Sequence, residues 1–291
     1  METPPLVLPA PPPRRRLHLI LLAATFVTLT MAGSWFWSGA EISLSPGVLV
    51  RGLLYAVLVV LILGAHEMGH YVACRSYGVR ATLPYFIPGL PFPIGTFGAV
   101  IRIKSQIPSR RALFDIAAAG PIAGFAIALP VLAIGLALAH PTPEVAEPHG
   151  VFIGSPLVSW LFTQALHGGA NLQVGSIYGA AWVGMLVTSL NLLPVGQLDG
   201  GHAVFAVSPR LHRIVSWVSI AAFAVFVGAQ AILEHTVSGY ALWLVILLLL
   251  RGRHPRLVDE VTPLDPRRTA VALGLALMLV LTFIPIPLQL L

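Results

Sequence analysis

His66-Glu67-Met68-Gly69-His70 lies near the end of a run that carries no other charge from Gly52 to Cys74. On a helix, positions four apart share one face, so His66 and His70 can aim both imidazoles at a single cation. Glu67, one residue along, can reach a water bound to that cation. H-E-x-x-H on a helix is the arrangement of zinc-dependent peptide hydrolysis, with the glutamate as general base. Ionisable side chains at the centre of a bilayer cost roughly 3 kcal/mol each even on lenient scales, so three together mark a functional site. The competing structural reading is a polar contact between helices.

A zinc site of this kind needs a third protein ligand. One stands at Asp199, within Asn191-Leu192-Leu193-Pro194-Val195-Gly196-Gln197-Leu198-Asp199-Gly200-Gly201-His202. Pro194 removes a backbone donor, and Gly196, Gly200 and Gly201 weaken the helix around it. Irregular backbone at membrane depth is tolerated only where protein or a wet cavity satisfies it. Two histidines, one carboxylate and a water complete the four-coordinate geometry of a catalytic zinc. Taken alone, Asp199 also reads as a helix cap at the break.

The elements that must position these residues are membrane helices. Hydrophobic residues make up 57% of the 291-residue chain and charged ones 10%, far from the quarter usual in soluble domains. Mean hydropathy is +0.87. The expected fold is an all-α polytopic membrane protein of six or seven transmembrane helices with a small membrane-associated β element. Apolar runs place the spans at Leu17–Trp37, Gly52–Cys74, Leu113–Ala139, Ile177–Leu193, Ile214–Leu233, Gly239–Leu250 and Thr269–Leu291. Residues 1–16 form a proline-rich tail expected to be disordered and cytoplasmic, and 17–51 the first span with its outer loop. The metalloprotease core is then 52–207, with C-terminal spans over 208–291. With a cytoplasmic N-terminus, all seventeen basic residues but Arg51 fall on cytoplasmic segments, as the positive-inside rule requires. The net charge of +6 is thus topological, and no nucleic acid is expected as a partner. The single cysteine, Cys74, excludes an internal disulfide and a cysteine-cluster metal site.

Topology also fixes depth. His66 precedes Arg75 by nine residues, about 13 Å of helix from the cytoplasmic boundary. Asp199 precedes Arg210 and approaches the same side. Between spans, Pro84, Pro88, Pro91 and Pro93 rule out a helix, while Val100-Ile101-Arg102-Ile103-Lys104 alternates apolar and basic like a strand. Such an edge suits an unwound substrate by strand addition, and equally suits a plain surface hairpin. Gly120-Pro121 and Gly124 allow close helix approach. His202 reads as structural or as support for a ligand. His18, His140, His149, His167, His212, His235 and His254 read as solvated. Residues 140–173 contain an apolar patch, Val151 to Leu166, suited to an interfacial helix or an outer gate.

H-E-M-G-H in one span and N-L-L-P-V-G-Q-L-D-G-G in a later one resemble the site-2 protease family of intramembrane zinc metalloproteases. Phe97 to Gly124 is most similar to the branch shared by bacteria and plastid-type members. The resemblance covers roughly Gly64 to Val207. It implies one zinc ion per chain on His66, His70 and Asp199, with Glu67 as catalytic base, and a substrate-handling role for Asn191, whose own alternative is an amide capping the broken helix. It also implies a minimal form without a regulatory domain, a transmembrane protein as substrate, and residence in a lipid bilayer, expected to be a prokaryotic cell membrane. The competing functions are a metal-ion transporter or channel, which would use Glu67 as a further ligand, and an inactive membrane scaffold. Oligomeric state is not legible in the sequence.

Overall fold

The computed structural model describes residues 15–38, 43–142, 151–233, 240–250, 257–285 and 287–290. The helices are α1 (Arg15–Trp35), α2 (Pro46–Ser76), α3 (Arg110–Ala137), α4 (Leu157–His167), α5 (Ser176–Leu192), α6 (Asp199–Val207), α7 (Pro209–Leu233), α8 (Ala241–Leu250) and α9 (Pro266–Thr282). Short strands lie between them: β1 (Tyr85–Pro88), β2 (Thr96–Val100), β3 (His140–Pro141), β4 (Val151–Ile153), β5 (Leu172–Gln173) and β6 (Leu288–Leu290). All pair in antiparallel twos: β1 with β2, β3 with β5 and β4 with β6.

Among the described residues, four helices are long and apolar enough to cross a membrane: α1, α2, α3 and α7. The remaining expected spans are shorter helices, α5 with 17 residues, α8 with 10 and α9 with 17. The reason is clearest at α5. Nearly every residue from Ser176 to Leu192 is buried, including Trp182, Val183 and Met185 at 0% exposure. It is the central post of the bundle and has little lipid-facing surface, so its length follows from where the chain must break. Two other expectations change. The helix α1 begins at Arg15, within the stretch expected to be disordered, while Met1 to Arg14 lie outside the described residues. The last expected span stops at Thr282, and the chain beyond it returns as β6 against β4.

Close helix approach is built from residues without bulk. A Cβ on Gly52 would strike the Ser34 hydroxyl and the Thr30 carbonyl, so α1 and α2 touch backbone to backbone there. The principal core lies between α1, α2, α3 and α5 around Tyr55, Ile62, Leu132 and Trp182. A second cluster at the other end of α2 and α3 joins Cys74, Leu113, Phe114 and Ala206 to α9 through Leu275. Cys74 is fully buried apolar filler, as its type suggested.

Candidate active site

The site is assembled from α2, α3, the α5–α6 break and the β1–β2 hairpin. Within the 31-residue α2, His66, Glu67 and His70 are all buried. The packing partner over the histidine face is α3. A Cβ on Gly120 would collide with the His70 ring, and one on Gly124 would lie 3.0 Å from the His66 Cβ. The small residues thus serve close approach as expected, and the surfaces they admit are the two imidazoles. The carbonyl of Ile116 on α3 accepts a hydrogen bond from His70 Nδ1 at 2.7 Å. With the proton on Nδ1, Nε2 presents a lone pair, the tautomer that a metal ligand requires.

Asp199 arrives from the far side. After Leu192 the helix stops, Gly196 adopts φ +53°, and α6 starts at Asp199. A Cβ on Gly200 would meet the Leu192 carbonyl, and one on Gly201 the Gly196 carbonyl, so only glycines let α6 fold back this tightly. Carbonyls freed by the break are taken up by α7: Ser216 Oγ donates to the Pro194 carbonyl at 3.1 Å, and His212 Nε2 to that of Gly196 at 3.1 Å. The irregular backbone at this depth is therefore satisfied by protein.

One oxygen of Asp199, Oδ2, lies 3.2 Å from His66 Nε2 and 3.2 Å from His70 Nε2. Tetrahedral zinc with bonds of ~2.0–2.1 Å sets its ligand atoms about 3.3 Å apart. The observed spacing fits that ion. Asp199 forms no helix cap here: Leu198 occupies the cap position, and no side chain bonds to it. Glu67 offers an oxygen within 4.8 Å of both histidine donors. The Ile101 backbone N–H, just beyond β2, lies on the side of this carboxylate. Asn191, in the last turn of α5, places Nδ2 3.4 Å from His66 Nε2. It faces the histidine rather than capping the broken helix.

The hairpin differs in register from the expectation. The strand is Thr96–Val100 rather than 100–104, and pairing continues beyond it through a bridge between Ala81 and Ile103. Thr82 N donates to the Arg102 carbonyl at 3.0 Å, and Lys104 N to that of Arg80 at 2.7 Å. Among the described residues no third strand pairs with β2.

Other histidines expected in solvent have protein partners. His18 lies 3.0 Å from the Pro84 carbonyl and stacks on Tyr85, and His167 Nε2 lies 2.8 Å from the Leu136 carbonyl. His212 supports the break, while His140 is exposed in β3. His202, in α6, is partly buried. His149, His235 and His254 lie outside the described residues. Residues 157–166 of the expected interfacial patch lie in α4, which exposes Trp160, Leu161 and Leu166. Sequence reasoning missed the main-chain contribution of Ile116. Backbone groups have no residue-type signal, and only the small residues at 120 and 124 hinted at what α3 packs against.

Peptidase family M50 matches the chain over residues 54–234, which contain all four of His66, Glu67, His70 and Asp199. The chain belongs to this family, the site-2 proteases, as the two motifs implied. Similar curated proteins are plant ones. The probable zinc metalloprotease EGY2, chloroplastic, of Oryza sativa subsp. indica is 33% identical over 250 residues, 82% of this chain and 44% of that protein. The Arabidopsis thaliana protein of the same name is 31% identical over 247 residues, 82% of this chain and 43% of that one. The probable zinc metalloprotease EGY1, chloroplastic, of Arabidopsis thaliana is 33% identical over 245 residues, 80% of this chain and 42% of that one. The chain therefore spans less than half the length of these relatives. Zinc, which their names carry, is the ion that the donor set fits. No solved structure matches the chain.

Proposed function

We propose that the chain is an intramembrane zinc metalloendopeptidase that hydrolyses peptide bonds in or near transmembrane segments of other proteins. The observation that carries this reading is the single Asp199 oxygen 3.2 Å from both imidazole Nε2 atoms, between helices of transmembrane length, with Glu67 beside it. His66, His70 and Asp199 would hold the ion. Bound zinc supplies a Lewis acid and brings the pKa of a water toward neutrality.

The remaining chemistry belongs to the chain. Glu67 takes the proton of the attacking water on its carboxylate and returns it to the leaving amine. Ile101, which follows β2, has its N–H on the side of that carboxylate, so the hairpin borders the base. Asn191 Nδ2, beside His66, is placed to donate to the scissile carbonyl oxygen. A substrate helix hides its carbonyls in its own hydrogen bonds, so it must unwind before attack. The unpaired edge of β2 can take the unwound segment as an added strand and present it to Glu67.

Charge asymmetry supports a cytoplasmic N-terminus and a submerged site nearer the cytoplasm, with a core over residues 52–207 that holds all four site residues and C-terminal spans over 208–291. The prokaryotic cell membrane expected from the resemblance stays part of the proposal; the matched relatives are named chloroplastic.

Metal analysis tests the site. The purified protein should hold about one zinc per chain, and His66→Ala, His70→Ala and Asp199→Ala should each lower occupancy. Full zinc retention by all three variants would remove the proposed site.

A further inference from the structure

The first residue of α3, Arg110, is a cation at 8% exposure that the chemistry above does not use. Its Nε donates to the Ala206 carbonyl at 2.8 Å and its Nη2 to that of Val207. These carbonyls end α6. The helix cannot satisfy them by continuing, because Ser208 is extended at φ −159° and ψ 119°, and Pro209 has no N–H. A guanidinium answers this need well: it is planar, carries several donors in a fixed fork, and adds positive charge at a helix C-terminus.

The opposite end of α6 begins with Asp199. The helix has nine residues, too few to hold its own geometry in isolation, and spans only about 12 Å end to end. So short a helix keeps its place only through what holds its ends, and the anchor at Val207 therefore helps to fix where Asp199 sits. The same α3 that carries Arg110 also fixes His70, through the Ile116 carbonyl and the space left at Gly120. One helix thus grips both sides of the donor set.

We propose that Arg110 is a positioning residue: by tying the C-terminal end of α6 to α3, it holds the Asp199 carboxylate opposite His66 and His70. This rests on the reading of Asp199 as a zinc ligand. Removing the guanidinium should loosen the ligand while leaving the helices in place. Groups bonded directly to metal ligands typically contribute roughly 10- to 100-fold to metal affinity, and Arg110, acting through the length of α6, is expected to contribute at the lower end, up to about 10-fold.

The experiment is a chelator competition for zinc on the full chain in detergent, with melting temperature recorded alongside. Arg110→Ala should bind zinc more weakly, by up to about 10-fold, and Arg110→Lys should recover part of that loss. In an Asp199→Asn background, Arg110→Ala should add little, because its effect passes through the carboxylate. A full additional loss there would overturn the proposal and make Arg110 a general folding residue. His66→Ala separates the two levels of inference: unchanged zinc affinity in that variant would sink the zinc site itself. Loss of zinc in His66→Ala with wild-type affinity in both Arg110 variants would overturn the Arg110 role alone. Should Arg110→Ala fail to accumulate, Arg110→Lys decides: weakened zinc at unchanged melting temperature supports the role, and wild-type affinity overturns it.

Discussion

At the residue scale, the site depends on what is absent as much as on what is present. The His70 ring occupies space that any side chain at position 120 would fill, whereas position 124 stands off the His66 ring by ordinary to tight contact. Gly120→Ala should therefore displace His70, costing zinc affinity or foldability, while Gly124→Ala should be much milder. Zinc titration of the two variants checks this, and equal behaviour would show that the ring is free to move. The histidine pair and Glu67 were legible in the sequence because their relationship is local: a spacing of four on one helix settles it. Asp199 was legible for a different reason, since a carboxylate among glycines and a proline at membrane depth demands an explanation. Arg110 was not legible. Nothing in its neighbours along the chain says that it caps a helix lying nearly a hundred residues later.

At the element scale, the predominance of helix was legible, whereas the six or seven spans expected compare with four helices of spanning length among the described residues. Apolar runs report where lipid-compatible helix can form, but not where interior packing lets a helix be short, and α5 is short because it is enclosed. The hairpin shows the same limit. Alternation suggested a strand at 100–104, whereas the register set by Thr96 and its partners moved the regular pairing upstream, to 96–100. Shifting a strand by one residue exchanges its faces, so this detail decides which groups meet the site. The strap before α9 supports a prediction in pH. Hydrogen bonds from Thr262 and Val261 hold the Asp259 carboxyl below its ordinary value, and the Arg268 backbone and guanidinium do the same for Asp265. Carboxyls depressed on folding contribute stability that is fully present above their unfolded pKa and is lost as pH falls through the folded one. The melting temperature should therefore drop as pH falls below about 4, and Asp265→Asn should remove part of that drop. A drop of the same size in the variant would contradict this assignment.

At the scale of the whole molecule, the charge distribution and the depth of the site belong together. In the proposed orientation, read from the sidedness of lysine and arginine, the open end of the hairpin at Arg102 and Lys104 and the α6–α7 connection face the cytoplasm, while the hairpin turn reaches back along α1 to Trp37. Single cysteines at Lys104 and Glu147, after Cys74→Ala, should label from opposite faces of the membrane, with Lys104→Cys reached only from the cytoplasmic face. Labelling of both positions from outside intact cells would reverse or break the proposed orientation. Family membership and the donor geometry converge on hydrolysis, and the point at which they could part is Glu67. A base acting only on water can be lost without loss of the ion. The central measurement is therefore peptide-bond cleavage per bound zinc by Glu67→Gln against a transmembrane substrate in detergent. A glutamine still hydrogen-bonds the water but cannot take its proton. Zinc content and melting temperature should stay at wild-type levels while cleavage falls ~100- to 10,000-fold. Undiminished cleavage by the zinc-loaded variant, or loss of its zinc, would contradict the account.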